Sequence, residues 1–309
     1  MKTLRTLFAL SILTVPGAVF AQETPSIGLV TINLQALFFN QINDGAQTAA
    51  DELGAELQIV DANNDPARQV QAIETFVTQQ VDAIIVVAID VEGIKPALSA
   101  ASEAGIPSVA IDAEVEVPPA SAFIGVDNLG AGVEAGEYTA TYISENLPDG
   151  AQVGIVGALN SFIQNQRRDG FVQTLESADG VEILPAVDGQ NVQETALTAA
   201  ENLVTANPGI DLIYATGEPA LIGVIAAVEA QGLTESVKVI GWDLTSQAVR
   251  GIDEGFVQAV VQQDPYQEGY EAVRASIALA NGEEIEPQIL IPIAIVTTDN
   301  VDEYRKLFE

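Results

Sequence analysis

Ala83 to Ala88 reads A-I-I-V-V-A, with no polar position. A strand with one wet face alternates apolar and polar residues. An unbroken apolar strand is covered on both faces, as in a parallel sheet between two layers of helices. Around this run the chain keeps a regular beat. Ile27 to Thr31 predicts a strand and Phe39 to Leu53 a helix, with Ile42, Ala46, Ala49 and Leu53 on one face. Leu57 to Val60 is the next strand, and Asn63-Asn64-Asp65-Pro66 then supplies a capping group and a proline suited to a first helical turn. The helix that follows carries Val70, Ile73, Phe76 and Val77 at helical spacing. Another helix runs from Glu92 to Ala104, Gly105 ends it, and Pro107 opens the strand Ser108 to Ile111. Ala122 to Gly125 closes this first set.

The beat then starts again. Leu129 to Asn146 predicts a helix that stops before Pro148. Val153 to Val156, Ile183 to Val187, Leu212 to Ala215 and Val237 to Ile240 read as strands, with helices over Gln164 to Glu176, Gln193 to Ala206 and Pro219 to Gln231 between them. Two rounds of alternation predict two doubly wound α/β domains. After Gly255 come a strand, Val257 to Gln262, a helix, Pro265 to Ala280, and a final extended run, Ile289 to Val296. No low-complexity linker separates the halves, so the chain is expected to cross between them more than once, as a hinge does.

Charge and composition remove several classes of function. The 309 residues hold 11 Lys plus Arg against 44 Asp plus Glu, a formal net charge of −33. So acidic a surface repels phosphate backbones and excludes a nucleic-acid partner. The chain has no histidine and no cysteine, which excludes Ser-His-Asp triads, thiol nucleophiles and ordinary zinc sites. The acidic residues are scattered, so neither a bound divalent ion nor a cofactor is expected. At the amino end Lys2 and Arg5 precede an apolar run, Leu7 to Val15, and Val19-Phe20-Ala21 offers a small residue before a cut. That pattern predicts a signal peptide over residues 1–21 and an exported, soluble product without a lipid anchor.

Several short stretches invite a chemical role. Gly130-Ala131-Gly132-Val133-Glu134-Ala135 matches a dinucleotide fingerprint in form, but Asp127-Asn128 already supplies a helix cap, so the glycines read as close packing inside a helix. Trp242, the only tryptophan in the chain, stands with Asp243 at the end of a strand, where open α/β sheets bind ligands. Phe38-Phe39 follows the first strand and the polar loop Asn33-Leu34-Gln35. Two adjacent aromatics cannot both face the core from one helix stripe, which leaves one for the surface or for an aromatic wall opposite Trp242. Asp112 and Asp90 follow strands and serve either as turn caps or as ligand groups. Arg167-Arg168 stands near the start of a helix, where a cation opposes the helix dipole and needs another partner. Gln263, at an expected crossing, can donate and accept.

In this order, these features resemble the periplasmic sugar-binding proteins of ABC importers, of the ribose, galactose and fructose type. The marks are Phe38-Phe39 with D-G-A-Q at Asp44 to Gln47, the N-N-D-P turn, A-G-I-P at Ala104 to Pro107, and V-D-N at Val126 to Asn128. R-R-D-G-F at Arg167 to Phe171, G-W-D at Gly241 to Asp243 and V-Q-Q-D-P at Val261 to Pro265 complete the set. The resemblance implies two Rossmann-like lobes joined by three crossovers, residues 22–126 with 264–293 and residues 127–263 with 294–309. Phe38, Phe39 and Trp242 would stack on a sugar ring, and Asp112, Arg167, Asp243 and Gln263 would bind its hydroxyls. The partners implied are a monosaccharide, pentose or hexose, and a membrane permease, with a chemotaxis receptor as a further one, for a monomer in the periplasm that performs no catalysis.

Departures from the ribose pattern are specific. Ala113 replaces an arginine, Val87 or Ala88 an asparagine, Gly217 a second asparagine, and Asp188 stands where an aromatic is used. Asn33, Gln35 and Glu218 are available as replacement contacts. Three alternatives remain open from the residues. One is the same fold on a nucleoside or a signalling furanone. Another is a repressor-type effector domain, which lacks its basic helix-turn-helix here. The third is an exported hydrolase using Asp112 and Asp243.

Overall fold

The computed structural model describes residues 24–308; the expected signal peptide lies outside the described residues. The chain begins with β1 (Ser26–Thr31), α1 (Leu37–Leu53), β2 (Glu56–Asp61), α2 (Pro66–Gln79), β3 (Ala83–Val87), α3 (Lys95–Glu103), β4 (Ser108–Ile111) and β5 (Ala122–Gly125). It continues with α4 (Asn128–Asn146), β6 (Ala151–Gly157), α5 (Phe162–Leu175), β7 (Val181–Ile183), β8 (Val187–Asp188), α6 (Gln193–Ala206), β9 (Leu212–Ala215), α7 (Glu218–Ala230) and β10 (Lys238–Trp242). The last elements are α8 (Ser246–Asp253), β11 (Val257–Gln262), α9 (Pro265–Ala280), β12 (Gln288–Leu290) and β13 (Ala294–Val296), before two short 3₁₀ turns.

The strands form two sheets, ordered β12-β5-β4-β3-β1-β2 and β13-β11-β10-β9-β6-β7, with β8 added beside β6. The first is parallel throughout, and β13 runs antiparallel to β11 in the second. β3 is buried at every residue, as its composition requires, and it pairs with β1 on one side and β4 on the other. Each sheet has a separate core on either face, so each lobe is its own folding body. The chain passes between sheets three times, after β5, after β11 and between β12 and β13. Asp65 caps α2 through the Ala67 and Arg68 amides with Pro66 in the first turn, as the sequence predicts.

Two expectations need correction, and one helix is added. The stretch from Ile183 to Val187 is not one strand. Pro185 cannot donate to a ladder, and β7 and β8 pair separately with β6 on either side of it. The run from Ile289 to Val296 is also broken, by Pro292, and its halves join different sheets. Helix α8 was not anticipated. Thr245 caps it through the Ala248 amide, and it spans only eight residues, too few for a clear apolar period.

Candidate functional site

The fingerprint-like glycines build the first part of the site. Asp127 caps α4 by accepting from the Gly130 amide at 2.9 Å, and both glycines lie inside the helix. A Cβ on Gly132 would collide with the Arg167 carbonyl, and one on Gly170 with that of Leu129. Helices α4 and α5 therefore touch backbone to backbone, and this contact sets where Arg167 stands.

Arg167 is 5% exposed. Its Nε donates to Asn128 Oδ1 at 2.8 Å and its Nη1 to the Thr216 carbonyl at 3.3 Å. Its guanidinium lies 3.7 Å from the Trp242 ring centroid, a cation–π contact that is strongest when desolvated. Trp242 Nε1 in turn donates to the Tyr214 hydroxyl at 2.6 Å, and the Tyr214 ring stacks on Phe171 at 3.9 Å. Trp242 is fully buried and packs in the core beneath β10. Trp242, expected as an aromatic wall, is buried with Arg167 lying over its ring, so the ring seats that cation. A fully buried indole needs a hydrogen-bond acceptor, which Tyr214 supplies.

Asp112 and Asp243 occupy matching corners. Each follows the last residue of its strand, β4 or β10, and each has φ of +60°. Asparagine and aspartate tolerate this left-handed conformation better than other residues with a Cβ. Each amide donates to the next strand, Asp112 to Ile124 at 3.0 Å and Asp243 to Val261 at 2.9 Å. Burial pushes the Asp112 carboxyl up to about 6, with Arg167 opposing and Asp243 reinforcing the shift. Burial also raises the Asp243 carboxyl, against the pull of Arg167 and a 2.7 Å hydrogen bond from Gln263 Nε2. Burial lowers Arg167, and Asp243 and Asp112 oppose this. Gln262 braces the crossing by accepting from the Leu244 amide and donating to the Gln263 carbonyl.

Phe38 and Phe39 meet edge to face, with ring centroids 5.5 Å apart. Both are partly buried and pack on the same core cluster as Ile42, so adjacency did not force one of them away from it. A cavity of about 620 Å³ between the lobes is bounded by Asp112, Phe123, Asn128, Phe162, Gln166 and Leu290. It reaches Asp112 and does not extend to Asp243.

Other expected residues have local partners. Asp90 accepts from the amides of Glu92 and Gly93, and Asp188 from those of Leu159 and Gln190. Asn33 accepts from the Gln35 and Ala36 amides and donates to Asn64. These three do the turn-capping work common for such residues. Gln35 is exposed. Glu218 opens α7, and its carboxyl is raised by burial and by Asp243. Sequence inspection missed Tyr214, Thr216 and the buried glutamines Gln69 and Gln164. Gln69 ties the end of β3 to the turn after it, and Gln164 holds the Ala158 amide and the Thr216 hydroxyl. A glutamine on a helix reads as a surface residue, so neither gave a signal. Glu268 was missed for the same reason.

Comparison with known proteins bears on this arrangement. A family model described as a periplasmic binding protein domain matches residues 27–284. The ribose import binding protein of Escherichia coli is 26% identical over 96% of this chain and 98% of its own length. A solute-binding protein from Actinobacillus succinogenes with bound D-allose is 26% identical, with a TM-score of 0.80, covering 91% of this chain and 100% of that one. A Bacillus halodurans solute-binding protein with bound myo-inositol is 28% identical, with a TM-score of 0.80, covering 92% and 98%.

Proposed function

Because the chain belongs to the periplasmic binding protein family, we propose that it captures a monosaccharide or related polyol between its lobes and delivers it to the membrane permease of an ABC importer. The observation that carries this function is the pair of matching corners, Asp112 and Asp243, one on each lobe, with Arg167 between them in charge. A ring of hydroxyls offers donors to two carboxylates at once, and charge-assisted hydrogen bonds of this kind are the strong ones. Phe38 and Phe39 supply an apolar surface for the C–H face of the ring, and Gln263 adds a contact at the hinge.

Because each lobe has only half of these contacts, the ligand is gripped fully only when the lobes close, and closure follows from that difference in affinity. The moving bodies are residues 22–126 with 264–293, and 127–263 with 294–309. The protein acts as a monomer in the periplasm after removal of residues 1–21, leaves its ligand chemically unchanged, and presents the closed form to the permease and to a chemotaxis receptor. If affinity is micromolar, binding is worth about −8 kcal/mol. A thermal-shift screen of pentoses, hexoses and polyols tests this, since a ligand that binds the folded form raises Tm in proportion to affinity. At least one such compound is expected to raise it by several degrees. A folded protein that responds to none of them overturns the proposal.

A further inference from the structure

The cavity between the lobes has more apolar wall than a ring of hydroxyls can use. Its volume is about 620 Å³. Pockets of about 300–1,000 Å³ hold ligands of drug size, with apolar walls and a few polar groups that fix orientation. A volume inside that range leaves space beside a single sugar ring. Val91, Ala113, Phe123 and Leu290 line the cavity from the first lobe, and Phe162 and Ile163 from the second.

Two of these side chains have no role in a core. Phe162, at the first position of α5, is 70% exposed, and Leu290, on the edge strand β12, is 47% exposed. Ser161 supplies the α5 cap through the Gln164 amide, so the Phe162 ring is not needed to start the helix. Single apolar residues scattered on a surface need no explanation. These two come from opposite lobes and line one cavity. Most polar groups on its walls are committed elsewhere. Asn128 donates to the Val126 carbonyl and accepts from Arg167, Asp127 accepts from the Gly130 amide, and Glu92 pairs with Lys95. Glu114 and Gln288 are exposed to water, which leaves Asp112 and Gln166 for a ligand.

A second sugar ring in this space would bury hydroxyls with few partners, which is costly. An aromatic or alkyl group has no such cost and is stabilised by covering apolar wall. Resting on the reading of the cleft as a polyol site, we propose that its ligand is a glycoside, a sugar ring carrying an apolar aglycone. The sugar ring keeps Asp112, and the aglycone fills the cavity between Phe162 and Leu290. Phe162 packs on an aromatic aglycone, offset or edge to face, and sets the selectivity for it. Because the two walls belong to different lobes, the aglycone adds contacts that are complete only with both lobes around it.

Calorimetry on the intact protein with matched pairs tests this. Phenyl glycosides of glucose, galactose, ribose and xylose, in both anomers, are compared with the free sugars, and cellobiose and lactose form a third arm. At least one phenyl glycoside is expected to bind about tenfold tighter than its free sugar, with Phe162→Ala narrowing the gap to about threefold. Leu53→Ala, at an exposed leucine that does not line the cavity, is expected to keep the gap whole. Free sugars that bind as tightly as every phenyl glycoside, or more tightly, overturn the proposal and leave the polyol site standing. A disaccharide that binds as tightly as the best phenyl glycoside also overturns it, since a second sugar ring then occupies the cavity. So does a gap that persists in full in Phe162→Ala, or one that Leu53→Ala narrows as much. A folded protein that binds neither sugars nor glycosides overturns both readings.

Discussion

The two lobes meet the cleft with one corner built twice. Ile111-Asp112-Ala113 and Trp242-Asp243-Leu244 each end a strand, turn through an aspartate at φ +60°, and pin its amide to the neighbouring strand. They differ in what lies around the carboxylate. In the second lobe Trp242 carries Arg167 on its face and Gln263 donates to Asp243. In the first lobe an aliphatic residue precedes Asp112, and the carboxylate has burial and distant charges but no hydrogen bond. One corner is organised by the protein's own groups; the other would have its pairing completed by the proposed ligand. If the proposed ligand binds here, preorganisation on one side would lower the ordering cost of binding, and the unmet group on the other would favour closure.

The largest way to break this comparison is to remove the foundation of the organised corner. Trp242→Ala is expected to cost about 3–5 kcal/mol of stability, the range for deleting a large core aromatic, and to weaken ligand binding beyond any direct contact because Arg167 loses its seat. The denaturation midpoint and calorimetry on the folded fraction check this. Affinity that is unchanged despite lost stability would mean that Arg167 holds its place without the ring.

A smaller effect separates the two aspartates. Asp243→Ala is expected to weaken binding by about 2–3 kcal/mol, since a charged hydrogen bond is lost. In the ligand-free protein, Asp243→Asn is expected to lower Tm, because Gln263 loses a charged acceptor, whereas Asp112→Asn is expected to leave Tm unchanged or raise it near neutral pH. Equal Tm changes at the two positions would erase the distinction between the corners.

The smallest effect is in pH. The Asp112 carboxyl stands at about 6 in place of 3.8, so the folded protein holds a proton that the unfolded chain gives up earlier. Its contribution is fully present below about pH 4 and is lost as pH rises through about 6. Glu268, also raised, acts in the same direction and extends the loss upward. The Tm of the wild type, measured against Asp112→Asn to cancel the general charge of the protein, is expected to fall across this interval. A difference that stays flat would show that the corner is not desolvated.

Much of this molecule is legible in its sequence because the relevant physics is local. Strands β4, β5, β9 and β11 and helices α6 and α9 begin and end where apolar runs, prolines and glycines place them. The capping of α2 and the helical glycines of α4 follow from neighbours in the chain. Asp112, Arg167, Asp243 and Gln263, proposed above as ligand groups, stand out in the sequence because they lie at strand ends, in a paired basic site or at a crossing. Asp90, Asp188 and Asn33 stand in similar places and turn out to serve their own loops. A strand end makes turns as readily as ligand sites, and composition cannot tell them apart.

The sequence by itself determined two α/β lobes, more than one crossing between them and the residues at the strand ends, since hydrophobic period and turn chemistry act over a few residues. Only the tertiary structure decided that Trp242 lies buried under Arg167, because a ring's partner depends on which helix crosses over it, and here Gly132 and Gly170 bring α5 close. Only the tertiary structure revealed Glu268 as buried and unpartnered. A glutamate one turn into an amphipathic helix looks solvated in sequence, and its helix is covered by α1 and by β3, β4 and β5, far from it along the chain.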